Sequence, residues 1–157
     1  MVADRIEREV LIEAPVDVVW RVLTEPEQIR QWFTDDAELD LRPGGKGTLM
    51  WDQKATGEPA TAHLRVESVE PQHRFSFRWD HPAGAEPRAG NSLLVEFTLS
   101  PEGESTRLRL VESGFAELER PEEGRAAQVE DHNHGWDVHL ATLRDYAPRQ
   151  PQASAPR

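Results

Sequence analysis

The stretch "HNHGWDVHL", residues 132–140, places three imidazoles within nine positions of one short segment. Imidazole is the commonest metal-ligating side chain, and its unperturbed pKa lies close to neutral pH. Three interpretations therefore fit these residue types: a metal centre, a His-Asn-His endonuclease motif, or one stripe of an ordinary helix. The choice depends on which face of the helix each histidine occupies.

The C-terminal part of the chain predicts one long helix. It can begin at Pro121, with Glu122 and Glu123 beside the positive helix N-terminus, and it runs to about Tyr146. With 3.6 residues per turn, its apolar side chains share one stripe. These are Val129, Trp136, Leu140, Leu143 and Ala147.

The three histidines divide between two sides of this helix. His132 and His139 lie beside Trp136 on the apolar stripe, whereas His134 lies about 200° from His132 and faces solvent. His132 and His139 are about 10 Å apart along the axis, too far to bind one ion directly, since Zn–N bonds are about 2 Å long. A metal would need a further ligand from elsewhere in the chain, and no metal site is predicted.

Two interpretations of His132 and His139 remain open. They are either core or rim histidines that bond to backbone carbonyls and water, or polar contacts in a ligand cavity between the helix and a sheet. Gly135 lies between them in mid-helix, where glycine costs about 1 kcal/mol relative to alanine. Close packing, a local bend or simply a weak helix position would account for it.

Composition limits the classes of protein that fit. The 157 residues suit a single domain, predicted over 1–147 and followed by a Pro-rich disordered tail over 148–157. The chain has no cysteine, which excludes disulfides and thiolate ligands. A formal net charge of −11 argues against nucleic acid and anionic membranes as partners. Because no signal peptide or membrane-spanning run is present, we expect a cytoplasmic protein.

The remaining patterns predict an antiparallel sheet. A strand over 5–14 precedes two short helices, which begin near Pro15 and Pro26 and end near Trp32 and Phe33. Alternating segments then predict further strands, the last of which turns Leu108 and Leu110 inward. Such a sheet must bury its apolar face against the long helix. The expected class is α+β, with about six to seven strands curved around a C-terminal helix.

The order of these segments resembles the SRPBCC superfamily, whose members include START and birch-pollen-allergen-like proteins. Within it, the chain is most similar to the bacterial group that resembles the C-terminal domain of the activator of heat-shock-protein-90 ATPase. The resemblance spans about residues 6–147. It is carried by "IEAPVDVVWRVLTEPEQIRQWF", "GGKGTLMW", "VESVEPQHRFSFRWD", "LLVEFTLSPEGESTRLRLVESGF" and "GWDVHLATLRDY".

The resemblance implies a helix-grip fold with a cavity that, in this superfamily, often holds a lipid, polyketide, phenolic or other small apolar molecule. It implies no universal catalytic residue and no cofactor. The chain is too short to include the separate N-terminal domain that the eukaryotic activator uses to bind its chaperone, so ATPase stimulation is not predicted. The resemblance is compatible with a monomer or a homodimer.

Three functions follow as hypotheses. The first is binding of a small apolar or aromatic molecule, with the cavity candidates Trp20, Trp32, Phe33, Trp51, Phe75, Phe77, Trp79, Phe97, Phe115, His132, Trp136, His139 and Leu143. The second is a cyclase- or aromatase-like enzyme that uses His132 or His139 as general base, oriented by an Asp or Glu from the sheet. The third is a cochaperone-like or regulatory protein-interaction module. The sequence contains no GxSxG, HExxH or phosphate-binding motif, any of which would favour an enzyme.

Overall fold

The computed structural model describes residues 5–51, 60–79, 86–88, 90–118 and 121–150. Within these residues the expected α+β helix-grip architecture is confirmed. The strands are β1 Arg5–Ile12, β2 Asp36–Leu39, β3 Lys46–Trp51, β4 Ala60–Glu70, β5 Arg74–Trp79, β6 Leu93–Glu102 and β7 Ser105–Ser113. The helices are α1 Val16–Thr24, α2 Pro26–Trp32 and α3 Glu122–Tyr146, with 3-10 turns at Phe115–Glu117 and Ala147–Arg149.

The strands form one antiparallel sheet in the order β1-β7-β6-β5-β4-β3-β2. From β2 to β7 each strand pairs with the next along the chain, as short connections favour. The N-terminal strand pairs with the last one, so that Arg5 lies opposite Ser113 and Ile12 opposite Thr106. A register shift between Val66 and Ser68 interrupts the β4–β5 ladder, and such a bulge bends the strand that contains it.

The period of two along β7 decides which of its side chains reach the core. Thr106, Leu108, Leu110 and Glu112 all have relative exposures of 0–1%. Successive side chains of a strand point to opposite faces, so Glu112 shares the inward face with the two leucines. Among the described residues that are buried, Glu112 is the one with a charged side chain.

Helix α3 closes the core through the apolar stripe that the sequence predicts. Trp136, Leu140 and Leu143 are buried on this side. On another side, the Arg8 guanidinium of β1 donates to the Asp137 carboxylate at 2.8 Å and to the Asn133 amide oxygen at 2.7 Å. These bonds connect the middle of α3 to the edge strand and set the position of the residues around Trp136.

The predicted tail lies mostly outside the described residues, which stop at 150. Its first positions continue α3 as the 3-10 turn Ala147–Arg149. The predicted loop over 80–91 is described only at 86–88 and from 90 onward. No described helix is long and apolar enough to cross a membrane.

Candidate functional site

A cavity of about 300 Å³ lies between the sheet and the middle of α3. Two of its walls come from strand ends, since Trp51 is the last residue of β3 and Trp79 the last of β5. The described residues that line it are Phe33, Trp51, Ala62, Trp79, Asp131, His132, His134, Gly135, Trp136 and His139. The cavity therefore lies between these two tryptophans of the sheet and the helical segment that carries the three histidines.

Phe33 is the centre of a continuous aromatic wall. Its ring centroid lies 5.5 Å from that of Trp51, 5.9 Å from that of Trp79 and 5.3 Å from that of Trp136. These separations are typical of directly packed aromatic pairs. The Trp51 Nε1–H donates to the Phe33 carbonyl at 2.8 Å, which satisfies the polar edge of that indole. The wall is thus apolar, and the indole N–H of Trp51 has a hydrogen-bond partner.

Behind this wall, the buried Glu112 carboxylate binds three side chains. Its Oε2 accepts from Trp79 Nε1–H at 2.7 Å, and its Oε1 accepts from Trp136 Nε1–H at 2.8 Å. Oε1 also lies 2.8 Å from His132 Nδ1. A carboxylate buried in an apolar core is tolerated only when such partners replace water. Glu112 therefore connects β7, β5 and α3 through one group.

This network restricts the proton positions on His132. An indole N–H can only donate, so each carboxylate oxygen already accepts one bond. With the carboxylate ionised, His132 Nδ1 carries a proton and donates the third bond, and the neutral imidazole then has its acceptor at Nε2. His132 and Trp136 are four residues apart in α3, so one helical face supplies both donors.

His139 lies at a second, more apolar position of the cavity. Its ring centroid is 5.0 Å from that of Phe33 and 6.5 Å from that of Trp136. Burial lowers the pKa of this imidazole below its usual value, and a hydrogen bond with the Trp32 backbone opposes part of that shift. Because the ordinary value is about 6.5, His139 is mainly neutral at pH 7.

His134 differs from the other two histidines of the segment. It is exposed, as its position on the helical wheel predicts, yet it also borders the cavity. Gly135 lines the cavity as well, and a Cβ at this position would come within 4 Å only of His139 Cδ2, at 3.9 Å. Across the described residues, no group of three or more His, Asp or Glu side chains is arranged to hold a metal ion.

The structure separates the candidate residues into three groups. Six of them line the 300 Å³ cavity: Phe33, Trp51, Trp79, His132, Trp136 and His139. Four others surround, with Phe33, a void of about 20 Å³ that is comparable to a single water: Trp32, Phe75, Phe77 and Phe97. Three belong to neither lining, since Phe115 and Leu143 are fully buried in the core and Trp20 packs against the core, partly exposed.

Five residues at or beside the cavity are not among the candidates from the sequence: Ala62, Asp131, His134 and Gly135 on its lining, and Glu112 behind it. The enzyme hypothesis expects an Asp or Glu from the sheet beside a histidine, but the predicted last strand turns only Leu108 and Leu110 inward. Extending the same period by one step reaches Glu112. The signal in the sequence is a charged residue at a position that the strand period of two turns into the core.

The family described as Activator of Hsp90 ATPase homolog 1-like protein matches residues 13–147. The chain belongs to this family. The match confirms the resemblance that the sequence showed, and the family's helix-grip architecture is the one described above. A search of curated protein sequences found no match.

Solved structures of bacterial proteins share this fold. Protein MLL2253 from Mesorhizobium loti is similar over 94% of this chain and 99% of its own, with 24% identity and a TM-score of 0.72. CalU16 from Micromonospora echinospora has 26% identity over 92% of this chain and 76% of its own, with a TM-score of 0.67. The Aha1 dimer from Colwellia psychrerythraea has 18% identity, coverages of 94% and 98%, and a TM-score of 0.71.

Proposed function

We propose that this protein binds a small aromatic or otherwise apolar molecule in the cavity between the sheet and α3. The observation that supports this most directly is the composition of the wall, four contacting aromatic rings with two imidazoles. Binding pockets for small molecules are mainly apolar and contain a few placed polar groups. His132 and His139 are those polar groups here.

The volume limits the size of the ligand. Small-molecule pockets span about 300–1,000 Å³, so this cavity of about 300 Å³ is at the lower end. An apolar cavity of about 150 Å³ admits benzene. A two-ring compound is therefore the expected size, and a long-chain lipid would have to extend out of the cavity.

A cavity-filling variant tests this proposal. Native mass spectrometry and thermal unfolding with a panel of two-ring phenols and short alcohols should show an adduct and a raised Tm. At a ligand concentration of 100 times Kd, the expected stabilisation is about 2.7 kcal/mol. Ala62→Phe should abolish the rise because Ala62 lines the cavity. Thr61→Phe, the exposed neighbour on β4, should retain it.

The proposal is wrong if no compound produces an adduct or a Tm change in the wild-type protein. It is also wrong if Ala62→Phe and Thr61→Phe respond equally, since binding would then take place elsewhere. Both variants need circular dichroism spectra that match the wild type before the comparison is made.

A second candidate is an enzyme in which His132 acts as general base. The specific observation in its favour is the 2.8 Å contact between His132 Nδ1 and the buried Glu112 carboxylate. A carboxylate that holds one imidazole nitrogen sets the tautomer and leaves the other nitrogen to accept a proton. The suitable substrate is a bound aryl ketone with an acidic α-C–H.

Deuterium exchange at that α-carbon, followed by mass spectrometry, tests the enzyme candidate. His132→Gln should reduce the exchange rate about 100-fold or more, in line with the usual contribution of a general base. His73→Gln, an exposed histidine at the β4–β5 turn, should exchange at the wild-type rate. Equal rates in both variants would exclude His132 as the base.

A further inference from the structure

The charged side chains near the cavity limit the charge of the ligand, as the volume limits its size. Asp131 is an exposed carboxylate on the lining, and Glu112 is a buried carboxylate behind the aromatic wall. Within the described lining residues there is no Lys or Arg. When the lining imidazoles of His132, His134 and His139 are neutral, the remaining formal charges, those of Asp131 and Glu112, are both negative.

The aromatic rings of the cavity also attract cations. The faces of indole and phenyl rings carry negative electrostatic potential, and tryptophan attracts cations most strongly. Ring centroids of Phe33, Trp79 and Trp136 lie 5.3–6.0 Å from one another, and all three residues border the cavity. A cation is attracted when it lies within about 6 Å of a ring centroid.

The formal charge of the whole sequence has the same sign. The whole chain has a formal net charge of −11. A negative field around a cavity mouth raises the local concentration of cations and lowers that of anions.

We infer that the cavity selects a small aromatic cation, such as an aryl-alkylammonium, over neutral and anionic molecules of the same shape. This inference rests on the proposed function, since it assigns a ligand class to the same cavity. The aromatic wall binds the ring system, and the cationic group lies toward Asp131. Carboxylates, including fatty acids and aromatic acids, should bind more weakly, because the described lining has no Lys or Arg and the carboxylates of Asp131 and Glu112 repel them.

Three matched probes test the inference: naphthylmethyl-trimethylammonium, naphthylmethanol and naphthylacetate. Their binding to the full chain is measured by tryptophan fluorescence and calorimetry at pH 8, where free imidazoles are neutral. The ammonium compound should bind about fivefold tighter than the alcohol, as expected for a cation–π contact of about 1 kcal/mol. The carboxylate should bind more weakly than the alcohol.

Asp131→Asn should reduce the ratio of ammonium to alcohol affinity at least twofold. Glu130→Gln removes the same charge from the adjacent exposed position of α3, which is not among the lining residues, and should leave that ratio unchanged. Raising the salt concentration should weaken binding of the ammonium compound more than that of the alcohol.

Each outcome has a separate meaning. If all three probes bind and the alcohol or the carboxylate binds as tightly as the ammonium compound, the charge inference is wrong while the proposed ligand cavity stands. If Asp131→Asn and Glu130→Gln change the ratio equally, the preference comes from overall charge rather than from the cavity, and the inference is again wrong. If no probe binds, both the inference and the proposed function are wrong.

Discussion

Replacing Glu112 by Gln tests whether the buried carboxylate holds the helix to the sheet. The amide has nearly the same volume as the carboxylate, but one of its two positions is an N–H₂ donor. In the wild type both oxygens accept from indoles, Oε2 from Trp79 and Oε1 from Trp136. Whichever way the amide is oriented, its N–H₂ group meets one indole N–H, and that donor loses its acceptor.

The size of the effect follows from this single lost bond. A hydrogen bond to a charged acceptor contributes about 1.5–3 kcal/mol, and a buried unsatisfied donor costs about 1–3 kcal/mol. Part of this cost is recovered, because a neutral amide is easier to bury than a carboxylate. The expected decrease in the free energy of unfolding is about 2 kcal/mol. For a chain of this size, that corresponds to a fall in Tm of about 4–8 °C.

Guanidinium unfolding, followed by tryptophan fluorescence and circular dichroism, measures this change. The matched control is Glu96→Gln on the neighbouring strand β6, where Glu96 lies between the buried residues Val95 and Phe97 and is partly exposed. Glu96→Gln should change the free energy of unfolding by no more than about 0.5 kcal/mol, as is usual for surface substitutions. The fluorescence of the folded Glu112→Gln protein should also change, because the bonds of Trp79 and Trp136 are altered.

If Glu112→Gln changes the free energy of unfolding no more than Glu96→Gln does, the buried carboxylate does not hold the helix to the sheet. A second refuting result is a folded Glu112→Gln protein whose tryptophan fluorescence matches that of the wild type.

Three further predictions concern His139, Gly135 and Gly45. Since burial lowers the folded-state pKa of His139, its contribution to stability is present above the unfolded value of about 6.5 and is lost as pH falls toward the folded value. The free energy of unfolding should therefore decrease more steeply below pH 6.5 in the wild type than in His139→Phe, and equal slopes would contradict this. Gly135→Ala should stabilise the protein by about 0.5–1 kcal/mol, because a Cβ there meets only His139 Cδ2 at 3.9 Å. Gly45→Ala should cost at least about 2 kcal/mol, because its Cβ would lie 2.1 Å from the Asp40 carbonyl oxygen, and denaturant unfolding measures both changes.

Local periodicity was sufficient to predict the architecture and the faces of the histidines. The apolar stripe through Trp136 and Leu143 predicts the buried side of α3, and His134 is exposed as its position on the wheel requires. Alternation in β6 and β7 similarly predicts which residues reach the core. These features depend on positions only a few residues apart, and the helix period of 3.6 and the strand period of 2 relate such positions directly.

The cavity depends on contacts that no local period describes. Glu112 lies 33 positions from Trp79 and 24 from Trp136 in the chain, and only the pairing of β5, β6 and β7 beneath α3 brings them together. The same holds for the aromatic residues. Phe77 and Trp79 share one face of β5, yet Phe77 lines the void of about 20 Å³ and Trp79 the cavity of about 300 Å³. Alternation assigns a residue to a face, whereas the helix packed across the sheet decides which part of that face lines the cavity.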